Sequence, residues 1–138
     1  MCSSDLSDSV RAGLAAVGSD AEIILVHDAA RPLVPGAVLS RLLAAIDAGA
    51  DAAVPGLSVT DTVKRVDRTG VVLETPDRAS LMAVQTPQAF RAAVLRRVHA
   101  AGGEATDDAA LVEASGGLVV VVPGDPLARK VTDRKSVV

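Results

Sequence analysis

Residues 118–122 read Leu-Val-Val-Val-Val, an unbroken apolar run with no polar position to turn toward water. A strand with one wet face alternates apolar and polar side chains, whereas an unbroken run needs cover on both faces. Residues 22–27, Glu-Ile-Ile-Leu-Val-His, nearly repeat the pattern, and Ala52-Ala-Val54, closed by Pro55-Gly56, is a shorter version. None approaches the roughly 20 apolar residues that span a bilayer. Strands of this kind occupy the middle layer of an α/β domain, which requires helices between them in the chain.

The helices are legible. Ser7-Asp8-Ser9 ahead of Val10, Leu14 and Val17 predicts a capped amphipathic helix stopping near Gly18. Pro35-Gly36 opens a second, with Val38, Leu39, Leu42, Leu43 and Ile46 on one face and an end near Gly49. A third is predicted over residues 88–101, carrying Phe90, Ala93, Val94, Val98 and Ala101 inward and Arg91, Arg96 and Arg97 outward. A fourth runs over residues 107–114 and ends at Gly116-Gly117. Residues 58–75 break the rhythm, because Val59 to Val66 and Val71-Val-Leu73 flank Asp67-Arg-Thr-Gly70. That is a hairpin pattern, more polar than the other strands and expected to project as a β-arm. At 138 residues the chain suits one Rossmann-like α/β domain with a mostly parallel sheet.

Composition narrows the function classes. The net charge is −3 with no basic tract, and Phe90 is the only aromatic residue, so neither a phosphate-backbone footprint nor a base-stacking platform exists. The single cysteine, Cys2, excludes an intrachain disulfide, and no Cys or His set has zinc-ligand spacing. No Gly-x-Ser-x-Gly nucleophile motif occurs. No charged start followed by an apolar stretch marks a secretion signal, so a cytoplasmic protein without a membrane partner is expected.

Ligands of open α/β sheets bind beyond the carboxyl ends of the strands, where Asp28 and Arg31 follow the 22–27 run. A carboxylate there can hold Mg²⁺ together with substrate phosphates, and an arginine can grip phosphate in bidentate fashion. The same spacing equally describes a loop-capping aspartate paired with a surface arginine. Arg78 in Pro76-Asp-Arg78 and the pair Arg129-Lys130 also stand beside strand ends, as phosphate partners or as solvated charges. Thr62, Thr86 and Thr106 offer hydroxyls, while Asp107-Asp108 reads as the acidic first turn of a helix. His27 closes a strand and His99 lies on a helix. From the residues alone, this is an α/β domain with phosphate-suited cations and one metal-suited carboxylate.

Specific strings add more. Val26-His-Asp-Ala-Ala-Arg-Pro32 resembles the signature loop of the 2-C-methyl-D-erythritol 4-phosphate cytidylyltransferase family. Asp8-Ser-Val-Arg-Ala-Gly-Leu14, Asp61-Thr-Val-Lys64, Asp77-Arg78, Gln85-Thr-Pro-Gln88, Thr106-Asp-Asp-Ala109 and Lys130-Val-Thr132 resemble that family in the same order. The resemblance implies a nucleotide-sugar-transferase-type fold, Mg²⁺ as cofactor, and a homodimer whose β-arms reach across to the partner. It implies transfer of CMP from CTP to methylerythritol phosphate, with pyrophosphate released, in non-mevalonate isoprenoid synthesis. Carried over by position, Arg78 and Lys130 resemble the residues that position the attacking phosphate, Arg78 acting from the arm. Asp28 resembles the metal and acceptor residue with Arg31 beside it, Thr62 an arm contact to the acceptor, and Ser9 a nucleotide contact. Thr86 and Thr106 resemble acceptor-side residues.

The pattern also departs from the family, which begins with a strand and a Gly-rich loop bearing an arginine and a lysine; nothing similar precedes Ser7. The expectation is a partial domain over residues 7–132 with foreign ends at 1–6 and 133–138, and negligible transfer by the chain as it stands. Two rivals of the same chemistry are a ribitol-5-phosphate cytidylyltransferase and a piece of a bifunctional isoprenoid enzyme. A rival of another class is a non-catalytic dimerising or binding module.

Overall fold

The computed structural model describes residues 3–102, 105 and 107–132, with side chains from Asp8 onward. Helix α1 covers Ser3–Ala16 and leads to strand β1, Ile23–Val26. Helix α2, Gly36–Asp47, returns to strand β2, Ala52–Ser58. A two-stranded hairpin follows, β3 at Arg65–Val66 and β4 at Val72–Glu74. Strands β5, Met82–Val84, and β6, Gln88–Arg91, precede helices α3, Ala92–Ala100, and α4, Asp108–Ala114. Strand β7, Val119–Pro123, closes the series.

Strand β2 is the centre of the sheet. On one side it pairs in parallel with β7, from Ala52↔Val119 to Gly56↔Pro123. On the other it meets first β6 and then β5, both antiparallel. Strand β6 in turn pairs antiparallel with β1, from Ile23↔Arg91 to Val26↔Gln88. Three of the five strands, β1, β2 and β7, therefore run the same way, and their carboxyl ends open on one edge of the domain.

Cover on both faces is fullest at β2 and β6; the runs expected to be buried on both faces are covered in part, with Leu118 57%, Val121 46% and Leu25 42% exposed. Ile24, Ala52, Val54 and Phe90 pack with α3 and α4 through Val94, Leu95, Val98, Leu111 and Val112. Their immediate neighbours Ala53 and Ala89 pack on the other face with Val38, Leu42 and Ile46 of α2. Alternate side chains serve opposite layers, as strand geometry demands. Phe90 is fully buried and is the largest side chain in the core.

Further expectations need correction, and Leu43, expected on the apolar face of α2, is 38% exposed. Residues 88–91 are a strand, not the start of the third helix; backbone pairing with β1 and β2 overrides a helical apolar spacing. Phe90 thus reaches the core from the sheet and Ala93 and Ala101 are exposed, while Val94 and Val98 turn inward as expected and Leu95 joins them. Arg91, expected outward, turns its guanidinium inward to the Ala50 carbonyl (3.0 Å) and the Ile46 carbonyl, capping α2. Helix α1 also runs through the Ser7-Asp8-Ser9 signature rather than starting there, and Asp8 pairs with Arg11 at 3.6 Å. The fourth helix behaves as expected, with Asp107 accepting the Ala110 N–H at 2.8 Å as its cap.

Between the Ala53↔Ala89 and Gly56↔Val84 pairs, β2 advances three residues while its partner advances five. The two extra residues bulge out at Gln85-Thr-Pro87, where the Thr86–Pro87 peptide is cis. This bulge sits beside the carboxyl ends of β1 and β7 and aims side chains at both.

Candidate active site

The loop after β1 is held in place by a chain of hydrogen bonds. The Asp28 N–H donates to Thr86 Oγ1 at 3.0 Å, and Thr86 Oγ1 lies 3.1 Å from His27 Nδ1. His27 Nε2 lies 3.0 Å from the Arg31 carbonyl oxygen. A carbonyl only accepts, so Nε2 carries the proton and Nδ1 accepts the Thr86 hydroxyl. The relay thus fixes both the ring and the loop. Inside the loop, Asp28 Oδ1 takes the Ala30 N–H at 2.9 Å.

The segment after β7 arrives from the other side. Asp125 Oδ1 accepts the Leu127 N–H and caps a short 3₁₀ turn, Pro126–Ala128. Arg31 Nη1 donates to the Ala128 carbonyl at 2.8 Å, and the Val131 N–H bonds the Ala30 carbonyl at 2.6 Å. Between these two stitches Lys130 places Nζ 3.3 Å from Asp28 Oδ2. The two side chains are 52% and 33% exposed, so the pair adds at most about 1 kcal/mol to stability. Its consequence is positional.

The Ala30 N–H, then Lys130 and the charge of Arg31, hold the Asp28 carboxyl below its usual range against the opposing effect of partial burial. Asp28 is thus a carboxylate at neutral pH, with a cation on one flank. Of the two readings left open for Asp28 and Arg31, neither stands unchanged. Asp28 does cap its loop, but its ionic partner is Lys130, while Arg31 stitches the loop to Ala128 and leaves a buried Nε without a partner.

The structure brings together Asp28, Arg31, Thr86 and Lys130. It keeps Arg78, Thr62 and Ser9 apart from them. Arg78 lies in a 3₁₀ turn at the base of the arm, capped by Asp77, and Nη1 donates to the Thr60 carbonyl at 2.6 Å. With Ser58, Val59 and Leu81 it lines a recess of about 320 Å³. Thr62 is exposed on the arm. Ser9 lines a groove of about 300 Å³ between α1 and β1 that ends at His27. Thr106 lies outside the described residues. His27 and Gln85 lie in strings that resemble the family, but the sequence assigned neither a role. Only the adjacency of His27 to Asp28 hinted at its part.

Comparison with known proteins shows the family of the chain. The family model for 2-C-methyl-D-erythritol 4-phosphate cytidylyltransferase matches residues 3–138. The chain belongs to this cytidylyltransferase family. A Nocardia farcinica protein of that name is 59% identical over 91% of the chain and 54% of its own length. One from Rhodococcus jostii is 52% identical over 94% of the chain and 57% of its own length. The chain therefore spans about half the length of these curated cytidylyltransferase relatives. Among solved structures, 4-diphosphocytidyl-2C-methyl-D-erythritol synthase from Anaerococcus prevotii superposes with a TM-score of 0.88 at 28% identity, covering 94% of this chain and 62% of the other. The cytidylyltransferase from Thermus thermophilus gives 0.80 at 38% identity, covering 94% and 64%.

Proposed function

We propose that this chain supplies the acceptor-side half of a site that transfers CMP from CTP to 2-C-methyl-D-erythritol 4-phosphate. The observation that carries this reading is Lys130 fixed beside Asp28 at the joint carboxyl ends of β1 and β7, where α/β sheets bind ligands. In the reaction, an oxygen of the acceptor phosphate attacks the α-phosphorus of CTP. The bond from that phosphorus to the bridging oxygen breaks, and pyrophosphate leaves with the electron pair. The attacking oxygen is already anionic, so no base need remove a proton. What remains is positioning and charge neutralisation. Lys130 suits one phosphate at this edge, and Arg78 suits a second contact when delivered on the arm.

The residues fit Mg²⁺ in one particular manner. Among the described residues no cluster of three or more His, Cys, Asp or Glu side chains stands ready as a protein cage. Asp28 is a single, partly exposed, ionised carboxylate, which suits an ion held mainly by substrate phosphates. Asp28 would hold the ion, and when bound it would neutralise triphosphate charge. Thr86 and Arg31 keep Asp28 in place, and Ser9 and Thr62 are the outlying nucleotide and acceptor contacts.

Arm exchange in a homodimer would deliver Arg78 to that site. Val66, Val71, Val72 and Leu73 are each at least half exposed on a hairpin that projects from the sheet. A second copy is the partner proposed to cover them. No described helix is long and apolar enough to cross a membrane, and a cytoplasmic site suits a reaction that consumes CTP.

The test is a graft in which residues 7–132 replace the matching span of the Nocardia farcinica relative, assayed for pyrophosphate release with CTP and Mg²⁺. Release with methylerythritol phosphate, and little or none with ribitol 5-phosphate, is expected. Release with ribitol 5-phosphate instead, or silence from a folded graft, would overturn the reading. The 138-residue chain alone is expected to be nearly inactive.

A further inference from the structure

Gln85 is 6% exposed and belongs to neither the loop after β1 nor the segment after β7. Its side-chain amide nevertheless meets both backbone groups of a single distant residue. Oε1 accepts the Asp125 N–H at 3.1 Å, and Nε2 donates to the Asp125 carbonyl at 3.0 Å. Paired donation and acceptance of this kind is what a neighbouring strand offers. The β2–β7 ladder makes its last backbone bond from the Gly124 N–H to the Gly56 carbonyl at 2.9 Å. Gln85, whose own N–H bonds the Pro55 carbonyl at 2.8 Å, adds one further rung with its side chain.

The crossing leaves no room for other residues. A Cβ at position 124 would lie 2.5 Å from Gln85 Oε1 and 3.2 Å from the backbone nitrogen and oxygen of Gly56. The Asp125 carbonyl that receives Nε2 also accepts the Ala128 N–H at 2.9 Å, so the rung sets where the 126–128 turn begins. That turn leads directly to Lys130. A lysine half exposed on a long flexible stem is aimed mainly by its backbone. The next residue, Thr86, holds the Asp28 amide.

We infer that Gln85 is a positioning residue, its amide locking the 124–128 turn so that Lys130 faces Asp28, while Thr86 fixes the opposite flank from the same bulge. The inference rests on the proposed role of Lys130 as a phosphate contact. Two substitutions separate it from simple support of the fold. Gln85→Met keeps length and volume without either hydrogen bond, and Gln85→Glu keeps only the acceptor.

In the full-length graft, Gln85→Met is expected to raise the KM for methylerythritol phosphate roughly tenfold while the KM for CTP stays within about twofold, tenfold being the scale of one well-placed contact. Gln85→Glu should fall between Met and the parent. In the 138-residue chain, Gln85→Met should strip hydrogen-exchange protection from the amides of both Asp125 and Val131. Loss of protection at Asp125 alone with both KM values unmoved, or an equal rise in both KM values, would make Gln85 merely structural and overturn the inference. A parent graft with no turnover defeats the functional reading instead, and protection at Val131 then decides the role of Gln85.

Discussion

Lys130 and Asp28 stand 102 positions apart in the chain, yet Nζ and Oδ2 are 3.3 Å apart at the edge where β1 and β7 end. No local motif creates that proximity. It follows from parallel pairing of β7 with β2, from β6 linking β2 to β1, and from backbone stitches at Ala128 and Ala30.

The Thr86 hydroxyl is the pivot of the Asp28 flank. Thr86→Val keeps the shape but leaves the Asp28 N–H without its acceptor, at a cost of about 1–2 kcal/mol. Thr86→Ser restores the hydroxyl and should recover most of it. Urea unfolding of the three chains checks the order, and a valine variant as stable as the parent would remove Thr86 from this role.

Asp28 has a depressed carboxyl pKa, so its contribution to stability is fully present above the unfolded value of 3.8 and is lost as pH falls through the lower folded value. Asp28→Asn should therefore lower the melting temperature slightly at pH 7, and the difference from the parent should close below pH 3.8. Melting curves across that range, recorded with a chelator present, give the answer. A gap that persists at the acid end would mean that the Ala30 and Lys130 contacts do not act through charge.

His99 and Asp108 join α3 to α4 inside the protein, Nε2 to Oδ1 at 2.7 Å, with side chains only 4% and 11% exposed. Removing either partner leaves a buried polar group unmatched, so His99→Leu and Asp108→Leu should each cost about 1–3 kcal/mol. The double variant should cost less than the two single losses combined, because neither orphan remains. Additive losses in denaturant melts would show that the pair is not coupled.

Much of this architecture was legible because short unbroken apolar runs form strands even where, as at Leu25, Leu118 and Val121, one side stays exposed. Residues 118–122 and 22–27 announced the middle layer, and Asp67-Arg-Thr-Gly70 announced the arm, where Asp67 Oδ1 takes the Thr69 and Val71 N–H groups. Residues 88–91 misled because Gln-Ala-Phe-Arg runs straight into Ala92 without a break, and only pairing with two distant strands makes it extended. Asp28, Thr86 and Lys130 were nameable through resemblance. Gln85 and His27 sit in the same resembling strings but received no role, since each acts on a partner 40 or 59 positions away. Hydrogen bonds of that span leave no spacing to read.

The arm offers the last test. Its two strands are only two and three residues long, held by Arg65 and Glu74 at 3.1 Å and by Lys64 and Thr75 at 2.8 Å, with every side chain of both strands exposed. Exposed apolar hairpins of this size are marginal in water and call for a covering surface. Replacing Val72 and Leu73 with aspartate puts charge on that surface without touching the buried core. On the proposed arm exchange, the parent graft should sediment as a dimer and the graft carrying both changes as a monomer, with its melting temperature falling only by the lost association. If the proposed arm exchange holds, its turnover should drop with it, because Arg78 would no longer reach a second copy. A variant that stays dimeric and active would assign the arm some task other than exchange.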